Sequence, residues 1–138
     1  MSAVQPPAGR DQPEVGGAEH QRPDQRLRRS QRVTQSAAFR EAFDQNRRFV
    51  GRHMVMWLRT GNGAALRLGV VTSRKVGNAV YRARARRRLR EAYRRHRHRL
   101  AGPYDIILVA RRTIVGAAWP QVEEDLLAVA ARARILKC

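Results

Sequence analysis

Residues 78–100 read Asn-Ala-Val-Tyr-Arg-Ala-Arg-Ala-Arg-Arg-Arg-Leu-Arg-Glu-Ala-Tyr-Arg-Arg-His-Arg-His-Arg-Leu. Asn78 stands where a helix N-cap belongs, and Gly102-Pro103 supplies the stop, so the spacing predicts one long helix from about Ala79 to Leu100. On such a helix Ala85, Leu89, Ala92, Tyr93, His96 and Leu100 fall at i, i+4, i+7, i+8, i+11 and i+15. That is one continuous stripe able to pack on a sheet. Arginines cover the rest: ten lie within the eighteen positions Arg82–Arg99, with Glu91 as the only acid. Arg82, Arg86 and Arg90 stack at i, i+4, i+8 along one edge, and Arg84, Arg88, Arg95 and Arg99 form a column on the other side. Each pair of like charges so placed costs about 0.2–0.5 kcal/mol in an isolated helix. Phosphates taken on as neighbours relieve that cost, and folding alone requires no such density of charge.

Working outward, Asp105–Ala110 (DIILVA) has the length and branching of a buried strand. Before the helix, His53–Thr60 (HMVMWLRT) and Leu66–Ser73 read as two extended segments joined by the Gly61-Asn62-Gly63 turn. Ser36 is placed to cap a first helix through Ala37, Phe39, Ala42 and Phe43, with both rings on one face. Pro120 suits the start of a last helix, with Glu123, Glu124 and Asp125 early and Arg132, Arg134 and Lys137 late. The order helix, strands, helix, strand, helix predicts an α+β, ribosomal-protein-like two-layer sandwich: a small sheet packed with about three helices.

The chain has 138 residues, enough for one modest core. Residues 1–25 hold Pro6, Pro7, Pro13 and Pro23, a Gly-Gly pair and almost no large apolar side chains, so a disordered tail is expected there and a single domain over 26–138. The charge follows the same division. The tail carries two arginines and four acids, net −2, and the remainder 27 bases and seven acids, net +20, which together make the chain's +18. Such an excess points to a polyanionic partner, and the tail is not the binding arm. All the bases but Lys75 and Lys137 are arginine, whose planar fork suits bidentate phosphate contacts. A codon bias towards arginine accounts for the Arg:Lys ratio equally well, but not for the net charge.

Other classes are excluded or weakened. No apolar run of about twenty residues and no secretory pattern is present, so a cytoplasmic protein without membrane association is expected. The lone Cys138 has no partner for a disulfide or a metal site. A solvated surface helix normally mixes both signs of charge, and a membrane-surface or calmodulin-type helix wants larger apolar residues than this stripe of Ala, Tyr and His. Glu41, Asp44, Glu91 and Asp105 are scattered over different elements, and His96 and His98 point apart on a helix. No catalytic residue and no metal site is therefore assigned to the chain itself.

Residues 74–94, from Arg74-Lys75-Val76-Gly77-Asn78-Ala79-Val80 through Arg82-Ala83-Arg84 to Arg94, resemble the signature of the bacterial ribonuclease P protein component. A looser likeness spans about Arg26 to Leu136 and includes the strand beginning Asp105-Ile106-Ile107. The chain departs from the family pattern at Ala83, where the family carries the Asn of Arg-Asn-Arg, so any hydrogen bond made by that side chain is missing or replaced.

The resemblance implies a protein that binds the catalytic RNA subunit and the 5′ leader of precursor tRNA, promoting 5′ maturation while the RNA does the chemistry. Mg2+ is then expected for the RNA-catalysed reaction, with no cofactor held by the protein's own side chains and no protein partner implied. It also implies RNA-contact roles for Arg74, Lys75, Asn78, Arg82, Arg84, Arg86, Arg87 and Arg90. Phe39, Phe43 and Trp57 correspond to a leader-binding cleft. By spacing alone Phe39 and Phe43 read more readily as core, and Trp57 reads equally well either way. The family further implies a left-handed βαβ crossover, against the general right-handed rule. The second reading is a structural ribosomal or general RNA-binding protein with no processing role.

Overall fold

Asp105–Ala110 is the hub of the molecule. The structure, a computed structural model, describes residues 27–137. Its elements are α1 (Ser36–Gln45), β1 (Arg48–Val50), β2 (Met54–Arg59), β3 (Arg67–Val71), α2 (Ala79–His96), β4 (Asp105–Ala110) and α3 (Trp119–Arg132). Short 3-10 turns at Arg29–Gln31, Arg74–Val76, Arg97–Arg99 and Arg112–Val115 join them. The expected tail over residues 1–25 and Cys138 lie outside the described residues.

The sheet runs β1-β2-β4-β3. β4 pairs antiparallel with β2, Met54 opposite Ala110 through Arg59 opposite Asp105, and parallel with β3, Arg67 opposite Asp105 through Val71 opposite Val109. With helices over both faces of the sheet, Ile106, Ile107 and Leu108 are all fully buried, which is why the run is apolar without alternation. The two segments flanking the Gly61-Asn62-Gly63 turn are strands as expected, but they do not pair with each other. β4 comes between them, because the chain leaves β3 through α2 and returns parallel to it. A turn signal marks where a chain reverses, not which strand it will pair with.

Side chains alternate across the sheet. Met54, Met56, Leu58, Leu68, Val70, Ile106 and Leu108 pack with Ala85, Leu89, Ala92 and Tyr93 of α2 and with Val122, Leu126 and Val129 of α3. The predicted stripe is the buried face of α2, with Ala85, Leu89, Ala92 and Tyr93 sealed completely and Leu100 nearly so. His96 ends the stripe only half-buried, its Nε2 3.1 Å from Glu123 Oε2 of α3. Regular α-helix stops there, and the turn Arg97–Arg99 carries the chain to Leu100. On the opposite face α1 covers Ile107 with Ala38, Ala42 and Phe39, leaving Trp57, Val71 and Val109 partly exposed.

Two local readings change. Ser36 is the first helical residue of α1 rather than its cap; Gln35 holds the N-cap position and makes no side-chain capping bond. β1, three residues long, is too short to show a period in sequence. By contrast Asn78 Oδ1 accepts the Tyr81 N–H at 3.0 Å, as an N-cap should, and Pro120 lies in the first turn of α3, where Gln121 Oε1 accepts from the Ala118 N–H at 3.2 Å.

Asp105, fully buried at the start of β4, lies in register between Arg59 of β2 and Arg67 of β3. Arg67 grips it with both ends of its fork, Nε to Oδ1 at 2.9 Å and Nη2 to Oδ2 at 2.7 Å, while Arg59 Nη1 donates to Oδ2 at 2.8 Å. Arg59 also donates to Glu41 of α1 at 2.6 Å and to the Asn62 carbonyl at 2.6 Å. The carboxylates of Glu41 and Asp105, far apart in sequence, thus meet on one guanidinium and tie α1 and the glycine turn to the sheet.

Candidate nucleic-acid interface

α2 turns its apolar stripe inward, and its arginines divide by what they do. Arg84 and Arg87 are exposed, and no ion pair engages either among the described residues. Arg82 and Arg86 are half-buried and held: Arg82 Nη1 donates to the Gly77 carbonyl at 2.9 Å, and Arg86 Nη1 to Thr72 Oγ1 at 3.1 Å. Arg86 is thereby moored to the end of β3. Arg90, also half-buried, has its pKa lowered by burial first and then by the charges of Arg86, Arg32 and Arg87. Four guanidiniums crowd that flank of α2, with Arg32 arriving from the segment that lies along β3, where the Val33 N–H donates to the Leu68 carbonyl at 2.7 Å. An approaching polyanion favours the charged form of each.

Arg74 and Lys75, both exposed, occupy the 3-10 turn between β3 and α2, where Ser73 Oγ accepts the Lys75 N–H at 3.2 Å. With Asn78 capping the helix, the eight predicted residues follow one another from the end of β3 along the first three turns of α2. Ala83 among them offers no side-chain hydrogen bond.

The other column of arginines is not a uniform cationic edge. Arg88 Nη1 donates to the carbonyls of Ile114 and Ala117, at 2.6 and 2.7 Å, and its Cζ lies 5.8 Å from the Trp119 ring centroid. Burial, then the charge of Arg84, lowers its pKa. It fastens α2 to the approach to α3. Arg97 likewise donates to the Leu66 carbonyl at 2.9 Å. Composition cannot separate such anchors from free cations, because the partners are backbone carbonyls contributed by distant segments.

The three aromatic residues also separate. Phe43, at 36% exposed, meets Trp57 edge to face, with centroids 4.9 Å apart and planes at 87°. Arg48 pairs with Trp57 in the β1–β2 register and places its Cζ 5.6 Å from the indole centroid. Sequence reading missed Arg48 because β1 itself was not visible. Phe39 is half-buried and lies against the backbone at Gly69, where a Cβ would come within 2.6 Å of the ring. Gly69→Ala is therefore expected to displace Phe39 and lower stability by about 1–3 kcal/mol, measured by urea unfolding.

Among the described residues no group of three metal-ligating side chains lies together, and no helix is long and apolar enough to cross a membrane.

The family model described as Ribonuclease P matches residues 27–134. The ribonuclease P protein component of Chloroflexus aurantiacus is 34% identical over 111 residues, which are 80% of this chain and 82% of that protein. That of Pelotomaculum thermopropionicum is 42% identical over 84 residues, 61% of this chain and 75% of the relative. Among solved structures, the RNase P protein of Staphylococcus aureus superposes with a TM-score of 0.68 at 26% identity, over 78% of this chain and 98% of that one. The Thermotoga maritima RNase P protein gives 0.65, also at 26% identity, over 73% and 96%.

Proposed function

The chain belongs to the ribonuclease P protein family, and from that premise we propose that it is the protein subunit of a ribonucleoprotein endoribonuclease, binding the catalytic RNA and the 5′ leader of precursor tRNA. The cationic flank of α2 takes phosphates of the RNA subunit, through Arg74, Lys75, Arg82, Arg84, Arg86, Arg87 and Arg90, with Asn78 fixing the helix end. The face formed by Trp57, Phe43 and the half-buried Phe39 receives the unpaired leader, whose bases stack on exposed ring surface. The observation that carries the reading is that Arg74, Lys75, Arg84 and Arg87, all exposed, follow one another from the end of β3 along α2, beside Arg82 and Arg86 held in place on the same stretch.

Cleavage belongs to the RNA. Mg2+ for that reaction is assigned to the RNA as well, since Glu41 and Asp105 are committed to Arg59 and Arg67. The protein's part is to position the leader and to neutralise phosphate charge. Family membership favours this over a structural ribosomal role.

Two measurements test it. Purified protein is expected to raise cleavage of precursor tRNA by the cognate RNA subunit at limiting magnesium, and no stimulation there would reject the assignment. Phe43→Ala is expected to reduce the preference for precursor over mature tRNA by about 1–3 kcal/mol with little change in RNA-subunit affinity. An unchanged preference would remove the aromatic face from the leader path.

A further inference from the structure

Residues 50–53, the connection between β1 and β2, are held by groups from the far end of the chain. Asp125 of α3, 9% exposed, accepts the backbone N–H groups of Arg52 at 2.9 Å and His53 at 2.8 Å. Gly51 leaves the room for that carboxylate, since a Cβ there would lie 2.6 Å from Asp125 Oδ2. Three of its carbonyls are capped by side chains. Arg132 Nη2 donates to Val50 at 2.6 Å, Arg111 Nη1 to Gly51 at 2.9 Å and Thr113 Oγ1 to Arg52 at 3.0 Å. Arg52, Arg111 and Arg132 therefore converge on one short turn, with Arg112 adjoining. All four are exposed, and none is ion-paired among the described residues. The nearby acid, Asp125, is spent on backbone.

A guanidinium has five N–H donors, and the carbonyl caps of Arg111 and Arg132 use one each. The cap fixes where the fork stands and leaves the other donors for a ligand, a pre-organised arrangement for phosphate oxygens. The patch is not isolated. The 3-10 turn Arg112–Val115 packs against the turn Arg74–Val76, so positive charge passes from Arg74 and Lys75 on to the β1–β2 connection. Apolar surface is scarce here, with Val50 as the one large exposed hydrophobic of the connection. A protein partner or a bilayer surface would want an apolar anchor; a nucleic-acid backbone needs none.

We propose that Arg52, Arg111, Arg112 and Arg132 form a second phosphate-contact surface, which takes a helical segment of RNA beyond Arg74 and Lys75 from α2. This rests on the RNA-binding reading above, and the test separates the two. Among the described residues the side chains of Arg52 and Arg112 make no hydrogen bond or ion pair, so R52E/R112E alters charge without removing a tie. The full chain would be titrated with a duplex RNA of about 20 base pairs and with the RNA-subunit transcript, across about 50–300 mM KCl, with thermal melting as the fold control. R52E/R112E is expected to weaken binding to both RNAs about 10-fold and to flatten the salt slope by about 1–2, with melting unchanged. R52K/R112K should bind as the parent does. Unaltered affinity and slope in R52E/R112E, while R84E/R87E binds weakly, would overturn the second surface and leave the α2 reading intact. If both double variants bind RNA as the parent does, both readings fall. Should R52E/R112E lose retention on phosphatidylserine vesicles but bind RNA normally, the patch is a membrane contact and the proposal is wrong.

Discussion

Replacing Asp105 with alanine is expected to lower stability by about 3–5 kcal/mol, because it leaves two partly buried guanidiniums without their shared carboxylate. Both arginines stand beside it in strand register, their side chains only 8% and 23% exposed. Arg59 keeps Glu41, but that partner is 54% exposed and offsets little. The effect should appear as a lower urea midpoint with an unchanged slope. It should also depend on pH in a defined direction. Burial pushes the Asp105 carboxyl up, but the hydrogen bonds from Arg67 and Arg59 outweigh it, so the pKa in the fold lies below the ordinary value of 3.8. A depressed carboxylate pKa stabilises the fold fully above the unfolded value, and that contribution is lost as pH falls through the folded pKa. The gap between parent and Asp105→Ala should therefore hold at neutral pH and close under acid below about pH 4. A variant whose deficit is the same at pH 3 and pH 7 would show that packing, not charge, makes the site.

The second large effect concerns binding. Arg84 and Arg87 are exposed on α2 and, among the described residues, their side chains make no hydrogen bond or ion pair, so R84E/R87E should fold normally. If about six phosphates are neutralised in the parent complex, log affinity falls against log salt with a slope of about −4 to −5. Reversing two of the cations is expected to flatten that slope by about 1–2 units and to weaken affinity for the RNA-subunit transcript on the order of 100-fold, about 2.7 kcal/mol. Arg88→Ala is the contrasting variant. Having lost the bonds to Ile114 and Ala117, it should melt earlier while the slope stays near the parent's. Were Arg88→Ala to change the salt slope as much as R84E/R87E does, the division between anchoring and ligand-facing arginines would be untenable.

Local features of the chain were legible wherever a short-range rule governs them. Asn78 was readable as a cap, because capping needs only a side-chain oxygen three residues from the N–H it accepts. The α2 stripe was readable because helical period alone decides which side chains share a face. Asp105–Ala110 was readable as a buried strand from its length and the branched apolar run Ile106–Val109. Phe39 and Phe43 were paired by spacing, but spacing did not show that Gly69 draws Phe39 onto the sheet while Phe43 remains at the rim. Nor did it show Arg48 over Trp57, which depends on a three-residue strand finding its register.

Sequence by itself determined that this chain builds a helix with an apolar seam and a cationic flank, and a buried strand after it, because periodicity and capping act over a few residues. Only tertiary structure decided which arginines remain for a ligand. Arg59, Arg67, Arg88 and Arg97 are bound by carboxylates or carbonyls from distant segments, whereas among the described residues Arg84 and Arg87 meet no such acceptor. The physical reason is that a guanidinium's role is set by the acceptor it meets, and strand order, with β4 between β2 and β3, chooses those acceptors.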